Sequence, residues 1–140
     1  GELETKTLAR TNSICPTVGK KIEDGHFKDA LESIFEFVRY GNKYFDTNEP
    51  WKTRTVNSEL CENTLFNCVQ IISNLAVLLY PFLPFSSSKV LEWLKVENVW
   101  HPNSVPFGFV LSEISILFER LDKSVIDIET KKLFAEKTTN

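Results

Sequence analysis

The sequence contains few of the residues from which enzyme sites and metal sites are commonly built. Its 140 residues include two histidines and three cysteines, and no pair of cysteines has the CxxC spacing. The cysteines are Cys15, Cys61 and Cys68. Their number and spacing argue against a disulfide framework and a zinc site, so a reducing cytoplasm is the expected compartment. Methionine is absent even at position 1, as expected of a chain that begins at a cut or at a cloning-derived residue.

The sequence also lacks the short motifs that carry common chemistries. It has no glycine-rich phosphate loop, no HExxH and no Gly-x-Ser-x-Gly. His26 has no cysteine or serine partner in view, and the many carboxylates fit solvated helix faces better than a paired site in a cleft. The residues alone therefore predict a helical interaction module without a metal or a cofactor, rather than an independent enzyme.

Charge of one sign is not in large excess either. The net charge is −3, and residues 1–55 carry nine Lys/Arg against nine Asp/Glu. A strongly basic nucleic-acid footprint is therefore excluded, and any binding of nucleic acid must depend on local geometry. We find no signal peptide. The uncharged run 63–88 is interrupted by Asn and Gln and stopped by Pro81 short of the ~20 apolar residues of a membrane span.

Helical periodicity predicts one all-α domain over 1–140, a bundle of four to five helices. We expect residues 1–25 to form a short first helix, which ends at Cys15-Pro16, and then a loop. Core helices are expected over 26–94, and an irregular strap with a C-terminal helix over 95–140. The second helix starts near His26, and its apolar stripe is Phe27, Ala30, Leu31, Ile34, Phe35, Val38 and Phe45.

Four further features refine this prediction. Asn57 or Ser58 should cap the long apolar helix that ends before Pro81, and the serines 86–88 should cap the next helix. The strap would use the apolar residues Phe107, Phe109, Val110 and Leu111. A last helix is predicted over 122–136, where apolar residues recur at helical spacing.

The stretch 42–52 separates the second and third helical patterns and predicts the turn of a helical hairpin. Pro50 cannot continue a helix and disfavours helical angles at the residue before it, so the second helix should end there. Trp51 follows at once, flanked by Lys43, Lys52 and Arg54. A ring held on such a stiff corner among cations could stack on a nucleobase, a contact worth ~1–3 kcal/mol. It could also simply close the hairpin, and local sequence alone favours this second role.

The order of these features resembles a known family. The runs that carry the resemblance are Ala30-Leu31-Glu32, Phe37-Val38-Arg39, Asn42-Lys43-Tyr44-Phe45-Asp46, Pro50-Trp51-Lys52, Leu79-Tyr80-Pro81-Phe82-Leu83-Pro84, Leu91-Glu92-Trp93-Leu94 and Leu117-Phe118-Glu119-Arg120-Leu121-Asp122. The last of these runs is similar to the family's stretch just beyond the bundle. The others look like the anticodon-binding helical domain of methionyl-tRNA synthetases, which are class I synthetases. The resemblance covers roughly residues 1–132, and the Asn-x-Tyr … Pro-Trp element is its most specific part.

The resemblance implies which residues touch tRNA. In the family the tryptophan after this proline stacks on an anticodon base, and it matches Trp51. An asparagine and an arginine four residues apart hydrogen-bond anticodon bases, and they match Lys6 and Arg10. Lys6 departs from the pattern, because it offers donors but no acceptor where an amide offers both. The supporting contacts implied are Pro50, Arg39, Lys43, Lys52 and Arg54.

The resemblance further implies the partners. These are the anticodon stem-loop of a tRNA and the synthetase's catalytic domain, whose sequence motifs have no counterpart here. ATP and methionine would bind that domain, so this chain should be inactive alone although its parent would be a methionine–tRNA ligase. The alternative is a protein-interaction bundle derived from the same fold that no longer binds tRNA. The net negative charge and Lys6 motivate it.

Overall fold

The computed structural model describes residues 2–110 and 127–132. Within these residues the chain forms five α-helices, which are α1 (Glu2–Glu23), α2 (Phe27–Asn48), α3 (Pro50–Val56), α4 (Ser58–Leu79) and α5 (Pro84–Leu94). This confirms the expected all-α bundle. Residues 127–132 are also helical. The rest of the predicted last helix, with Leu111 and the run 117–122, lies outside the described residues. None of the described helices is long and apolar enough to cross a membrane.

The first helix is longer than the sequence predicted. We expected it to end at Cys15-Pro16 and to be followed by a loop, which is wrong, because α1 continues through Pro16 to Glu23. A proline inside a helix removes one backbone donor and costs ~3 kcal/mol. Tertiary packing offsets this cost here, since Cys15 and Val18, on either side of the proline, are both buried in the main core.

Helices α1, α2 and α4 enclose the main core. α1 and α2 are antiparallel, because Thr7 near the start of α1 contacts Tyr40, while Lys21 near its end contacts Ser33. The buried core residues are Cys15, Val18, Ala30, Ile34, Phe37, Ile71 and Leu78. The predicted stripe of α2 was partly wrong. Phe27 and Phe35 are exposed, whereas Phe37, which lay outside the stripe, is completely buried.

The ends of α4 and α5 are set by local residues. The Asn57 side chain accepts a hydrogen bond from the backbone N–H of Leu60 at 3.1 Å, which confirms it as the N-cap of α4. α4 stops at Leu79, before Pro81. The prediction that the serines 86–88 cap α5 was wrong. This helix begins two residues earlier at Pro84, whose fixed φ suits the first helical position.

The strap, residues 95–110, is irregular as predicted and is fastened to α4 by the side-chain amides of Asn74, which is buried, and Gln70, which is half-buried. Asn74 Oδ1 accepts from the Asn103 N–H at 2.9 Å, and Asn74 Nδ2 donates to the Asn103 carbonyl at 2.9 Å. Gln70 pairs in the same way with Val105, at 2.7 and 2.8 Å. The two side chains therefore supply hydrogen-bond partners to the backbone of a segment that lies in no helix or strand.

The strap also closes onto α1 through Trp100. Its indole Nε1 donates to the Cys15 carbonyl at 3.1 Å. This contact requires a glycine at position 19, because a Cβ there would lie 2.6 Å from the indole nitrogen. Glycine inside a helix is otherwise unfavourable by ~1 kcal/mol relative to alanine. Glycine at position 19 therefore favours the helix less than alanine would, but it allows Trp100 of the strap to approach α1.

Gly19→Ala is expected to displace Trp100, so that the indole N–H exchanges with solvent faster. The better helix propensity of alanine should then not raise the free energy of unfolding, because the Trp100 contact is lost. In a Trp100→Phe background, which has no indole N–H to lose, the same substitution should raise the free energy of unfolding by about 1 kcal/mol. Urea unfolding of the four chains gives the comparison. An equal effect of Gly19→Ala in both backgrounds would show that the close approach has no energetic consequence.

Candidate nucleic-acid interface

The corner that carries Trp51 is much tighter than the sequence predicted. We interpreted the stretch 42–52 as the turn, but residues 42–48 belong to α2 and Pro50 already begins α3. Glu49 alone separates the two helices, in the left-handed conformation with φ 42° and ψ 58°. Its backbone N–H donates to the Phe45 carbonyl at 3.1 Å. The prediction that α2 ends just before Pro50 is confirmed, while the short helix α3 was missed.

This corner is held rigidly on both sides. Pro50 is the first residue of α3 and is buried. The Cys61 thiol of α4 lies 3.4 Å from the Pro50 carbonyl oxygen. The Glu49 carboxylate pairs with Lys52 at 2.8 Å, and the Glu49 carbonyl accepts from the N–H of Lys52 at 2.8 Å. A non-glycine residue in the left-handed region is uncommon, and these contacts stabilise it there.

Trp51 is presented on α3 with one side supported and the other open. Its ring centroid lies 5.5 Å from that of Phe45 with an interplanar angle of 48°. The residue is nevertheless 54% exposed. The ring therefore packs on α2, as the second role considered from the sequence requires, and it also remains exposed enough to stack on a base, which stays a prediction. Tilted aromatic pairs of this kind add to the area that they bury.

Arg10 is supported in a similar way from α2. Its Cζ lies 4.6 Å from the centroid of the Tyr40 ring, within the range of a cation–π contact. The Tyr40 hydroxyl lies 2.6 Å from Thr7 Oγ1, so the ring is fixed at its far end. Arg10 is exposed. The guanidinium is therefore held against a ring while part of it remains accessible to a ligand.

The remaining predicted contacts are all on the surface, except Pro50. Lys6 pairs with Glu2 at 2.7 Å, and both side chains are exposed, so this ion pair contributes little and can open. Arg39, Lys43 and Arg54 are exposed as well. Within residues 2–110 and 127–132, no carboxylate is within ion-pair distance of these three cations or of Arg10.

The structure places Arg10 and Trp51 on two sides of α2. Tyr40 faces α1, where it contacts Thr7 and Arg10. Phe45 faces α4, since it lines a cavity of about 160 Å³ together with residues 68–75 of that helix. Five residues correspond to about 140° around a helix and about 7.5 Å along it. A ligand that touches both side chains must therefore span the C-terminal part of α2.

Sequence reasoning missed the two aromatic supports. Phe45 was assigned to the apolar stripe of α2, and Tyr40 was given no role. Behind them lies Tyr44, which is buried. Its hydroxyl accepts from Asn67 Nδ2 at 2.9 Å. Burial raises the pKa of Tyr44, although the hydrogen bond from Asn67 opposes this shift. Tyr44 therefore stays neutral and ties α2 to α4 beneath the site.

Comparison with known proteins defines the class. The profile of the family described as anticodon-binding domain of tRNA ligase matches residues 4–136. The chain therefore belongs to the family of anticodon-binding domains of tRNA ligases. Among relatives, it is 45% identical over 134 residues to methionine–tRNA ligase 1 of Alkaliphilus oremlandii and 42% identical over 136 residues to the methionine–tRNA ligase of Bacillus cereus. These alignments cover 95% and 96% of this chain and 25% of each relative.

Solved structures show the same fold. Methionyl-tRNA synthetase of Mycobacterium tuberculosis in its free state superposes with a TM-score of 0.78 at 21% identity, over 87% of this chain and 26% of that one. The same synthetase with methionyl-adenylate gives a TM-score of 0.77 at 22% identity, over 86% and 25%. The described helices thus have the architecture of one part of these synthetases. The chain spans about a quarter of the length of the relatives that it matches.

Proposed function

We propose that this chain recognises the anticodon of a methionine tRNA in support of methionyl-tRNA formation. The observation that carries the proposal is the geometry of Trp51. A half-exposed indole is held by Phe45 on a one-residue corner between two helices. An aromatic ring offered in this way is a stacking platform for an unpaired base, such as those of an anticodon loop. The resemblance to methionine–tRNA ligases supplies the kind of tRNA.

Arg10 supplies the polar half of recognition in this proposal. Its planar guanidinium can donate two parallel hydrogen bonds to the edge of a base or to a phosphate. Lys6, one turn earlier on α1, would donate from a single ammonium and would have to leave Glu2 to do so. Arg39, Lys43, Lys52 and Arg54 would contribute phosphate contacts, which give affinity but carry no sequence information.

The reaction itself belongs to the rest of the ligase. ATP and methionine would be bound by a catalytic domain. Separately, the part of the chain that the structure describes contains no group of three or more potential metal ligands. Binding by this domain alone should be weak and should fall as salt rises, because few phosphates are neutralised. A cytoplasmic location is part of the proposal, since aminoacylation serves translation.

The test is a low-salt titration of the chain with initiator methionine tRNA, followed by tryptophan fluorescence. The matched ligand is the same tRNA with its anticodon cytosine replaced. Tighter binding of the unaltered tRNA is the expected result. Equal binding of both tRNAs, or no binding at any salt concentration, would contradict the proposal. It would favour the alternative of a helical module that has lost tRNA recognition.

Arg10→Lys is expected to reduce the preference for the unaltered anticodon by about tenfold, because the charge is kept and the planar fork is lost. The affinity of the altered tRNA should change little. Arg54→Lys is the matched control, since it makes the same change at an exposed position on α3. If both substitutions had the same effect on the preference, Arg10 would not be a base-reading residue.

A further inference from the structure

Arg10 is a proposed base-reading residue with a long, flexible side chain, and the structure shows how this side chain is held. A free arginine loses much rotamer entropy when it binds, so holding it in place beforehand improves recognition. In this chain the guanidinium carbon lies 4.6 Å from the centre of the Tyr40 ring. A guanidinium that stacks on a ring keeps the N–H groups of its edges free, because these lie in its plane.

The Tyr40 ring is itself fixed at two points. Its plane lies within 6° of the Phe37 ring, at a centroid distance of 6.3 Å, and Phe37 is completely buried. Its hydroxyl lies 2.6 Å from Thr7 Oγ1. The Thr7 hydroxyl donates its only proton to the Leu3 carbonyl at 2.9 Å, so the Tyr40 hydroxyl must be the donor to Thr7. The hydrogen bonds therefore run in one direction, from Tyr40 to Thr7 to the backbone of Leu3.

We propose that Tyr40 is a positioning residue for anticodon recognition, which orients the Arg10 guanidinium toward the base through the face of its ring. The inference rests on the proposed function, in which Arg10 reads a base. Thr7 contributes to the same arrangement of side chains around Arg10, because it lies on α1 within one turn of Arg10 and fixes the hydroxyl of the Tyr40 ring. The Tyr40 ring thus links buried Phe37, to whose ring it is nearly parallel, with the exposed Arg10 guanidinium that lies over it.

Two substitutions separate the ring from its hydroxyl. Tyr40→Leu removes the aromatic face and keeps an apolar side chain, so Arg10 loses its support. Tyr40→Phe keeps the face and removes only the hydroxyl. Tyr80→Leu is the matched control, because Tyr80 is also half-buried and, directly after α4, packs on a separate cluster formed by the buried residues Ala76, Val77 and Leu91. Circular dichroism and thermal unfolding of each chain verify the fold.

The readout is the ratio of the dissociation constants of the two methionine tRNAs defined above. Tyr40→Leu should reduce this ratio by about tenfold, as Arg10→Lys does. Tyr40→Phe and Tyr80→Leu should leave it within about twofold, since each retains the stacked ring under Arg10. In an Arg10→Lys background, Tyr40→Leu should add no further loss, because both changes act on the same contact. The salt slope should stay unchanged throughout, as no charge is removed.

A purely structural role for Tyr40 gives a different result. Loss of folded protein would weaken binding of both tRNAs equally and leave their ratio unchanged. An unchanged ratio in Tyr40→Leu, with a native chain that discriminates, would overturn the positioning role and leave the proposed function intact. A native chain that does not discriminate would overturn both. If Tyr40→Leu does not fold, Tyr40→Met takes its place, because methionine is also apolar and has no aromatic face. The same loss in the ratio is expected, and an unchanged ratio there overturns the inference.

Discussion

Replacing Asn74 by leucine is expected to lower the free energy of unfolding by about 3 kcal/mol. The Asn74 side chain is 0% exposed. It holds both backbone groups of Asn103 as well as the Gln70 carbonyl at 2.8 Å. Leucine has a similar size but no polar atom, so the strap would lose its anchor while its backbone groups remain partly buried. Urea unfolding measures the change.

Asn12→Leu is the matched control, because Asn12 is exposed on α1 and should shift stability by less than about 0.5 kcal/mol. Hydrogen exchange then tests the mechanism. The amides of Asn103 and Val105 should exchange faster in Asn74→Leu, whereas those of buried α2 residues should change only as global stability does. An unchanged midpoint of unfolding, or unaltered exchange at Asn103, would show that the hydrogen bonds of Asn74 do not hold the strap.

The boundaries of the helices after α1 were predictable where a single residue decides them. Pro50 ends α2 and Asn57 caps α4, and both predictions rest on backbone chemistry that does not depend on distant contacts. The roles of Gln70 and Asn74 could not be predicted in the same way. In the sequence they are polar interruptions of an apolar run. Their function appears only when the strap, some thirty residues later, is placed beside α4.

Pro16 shows the opposite case, in which a strong local signal gave the wrong result. Proline ends most helices because it lacks a donor and its ring crowds the preceding turn. Here the residues around it pack between α2 and α4, and the Cys15 carbonyl receives the indole of Trp100. Each of these contacts joins residues far apart in the chain. Tertiary packing therefore decided the length of α1, and no window of sequence around Pro16 contains that information.

The residues of the candidate site could be named from the sequence, and their contacts with tRNA stay a prediction, but the side chains that support them could not be named. Pro50 and the neighbouring cations drew attention to Trp51, and the family resemblance drew attention to Arg10 and Lys6. Tyr40 and Phe45 were missed because both lie on α2, where aromatic residues are expected to serve the core. Their spacing of five residues turns them to different sides of the helix. Which neighbour each one meets depends on the packing of α1 and α3.

Trp51→Ala is expected to weaken binding of the unaltered methionine tRNA by about 5- to 150-fold, which corresponds to the ~1–3 kcal/mol of one base–aromatic stack. Because Trp51 is 54% exposed and contacts mainly Phe45, its removal should leave the fold intact and lower stability only modestly. Tryptophan fluorescence is altered by this change, so calorimetry or a filter assay measures the affinity. Trp51→Phe, which keeps an aromatic face, should recover most of the loss.

Phe85→Ala is the control for non-specific contact between RNA and exposed rings. Phe85 is 86% exposed on α5, so it offers more free aromatic surface than Trp51 does. If exposure alone determined stacking, Phe85→Ala would cost at least as much affinity as Trp51→Ala. We expect it to cost nothing, because among the described helices α5, which carries Phe85, contacts α4 and not α2 or α3, which carry Phe45 and Pro50. Unchanged binding by correctly folded Trp51→Ala would show that Trp51 does not contact the tRNA. Equal losses in Trp51→Ala and Phe85→Ala would show that the contact is non-specific.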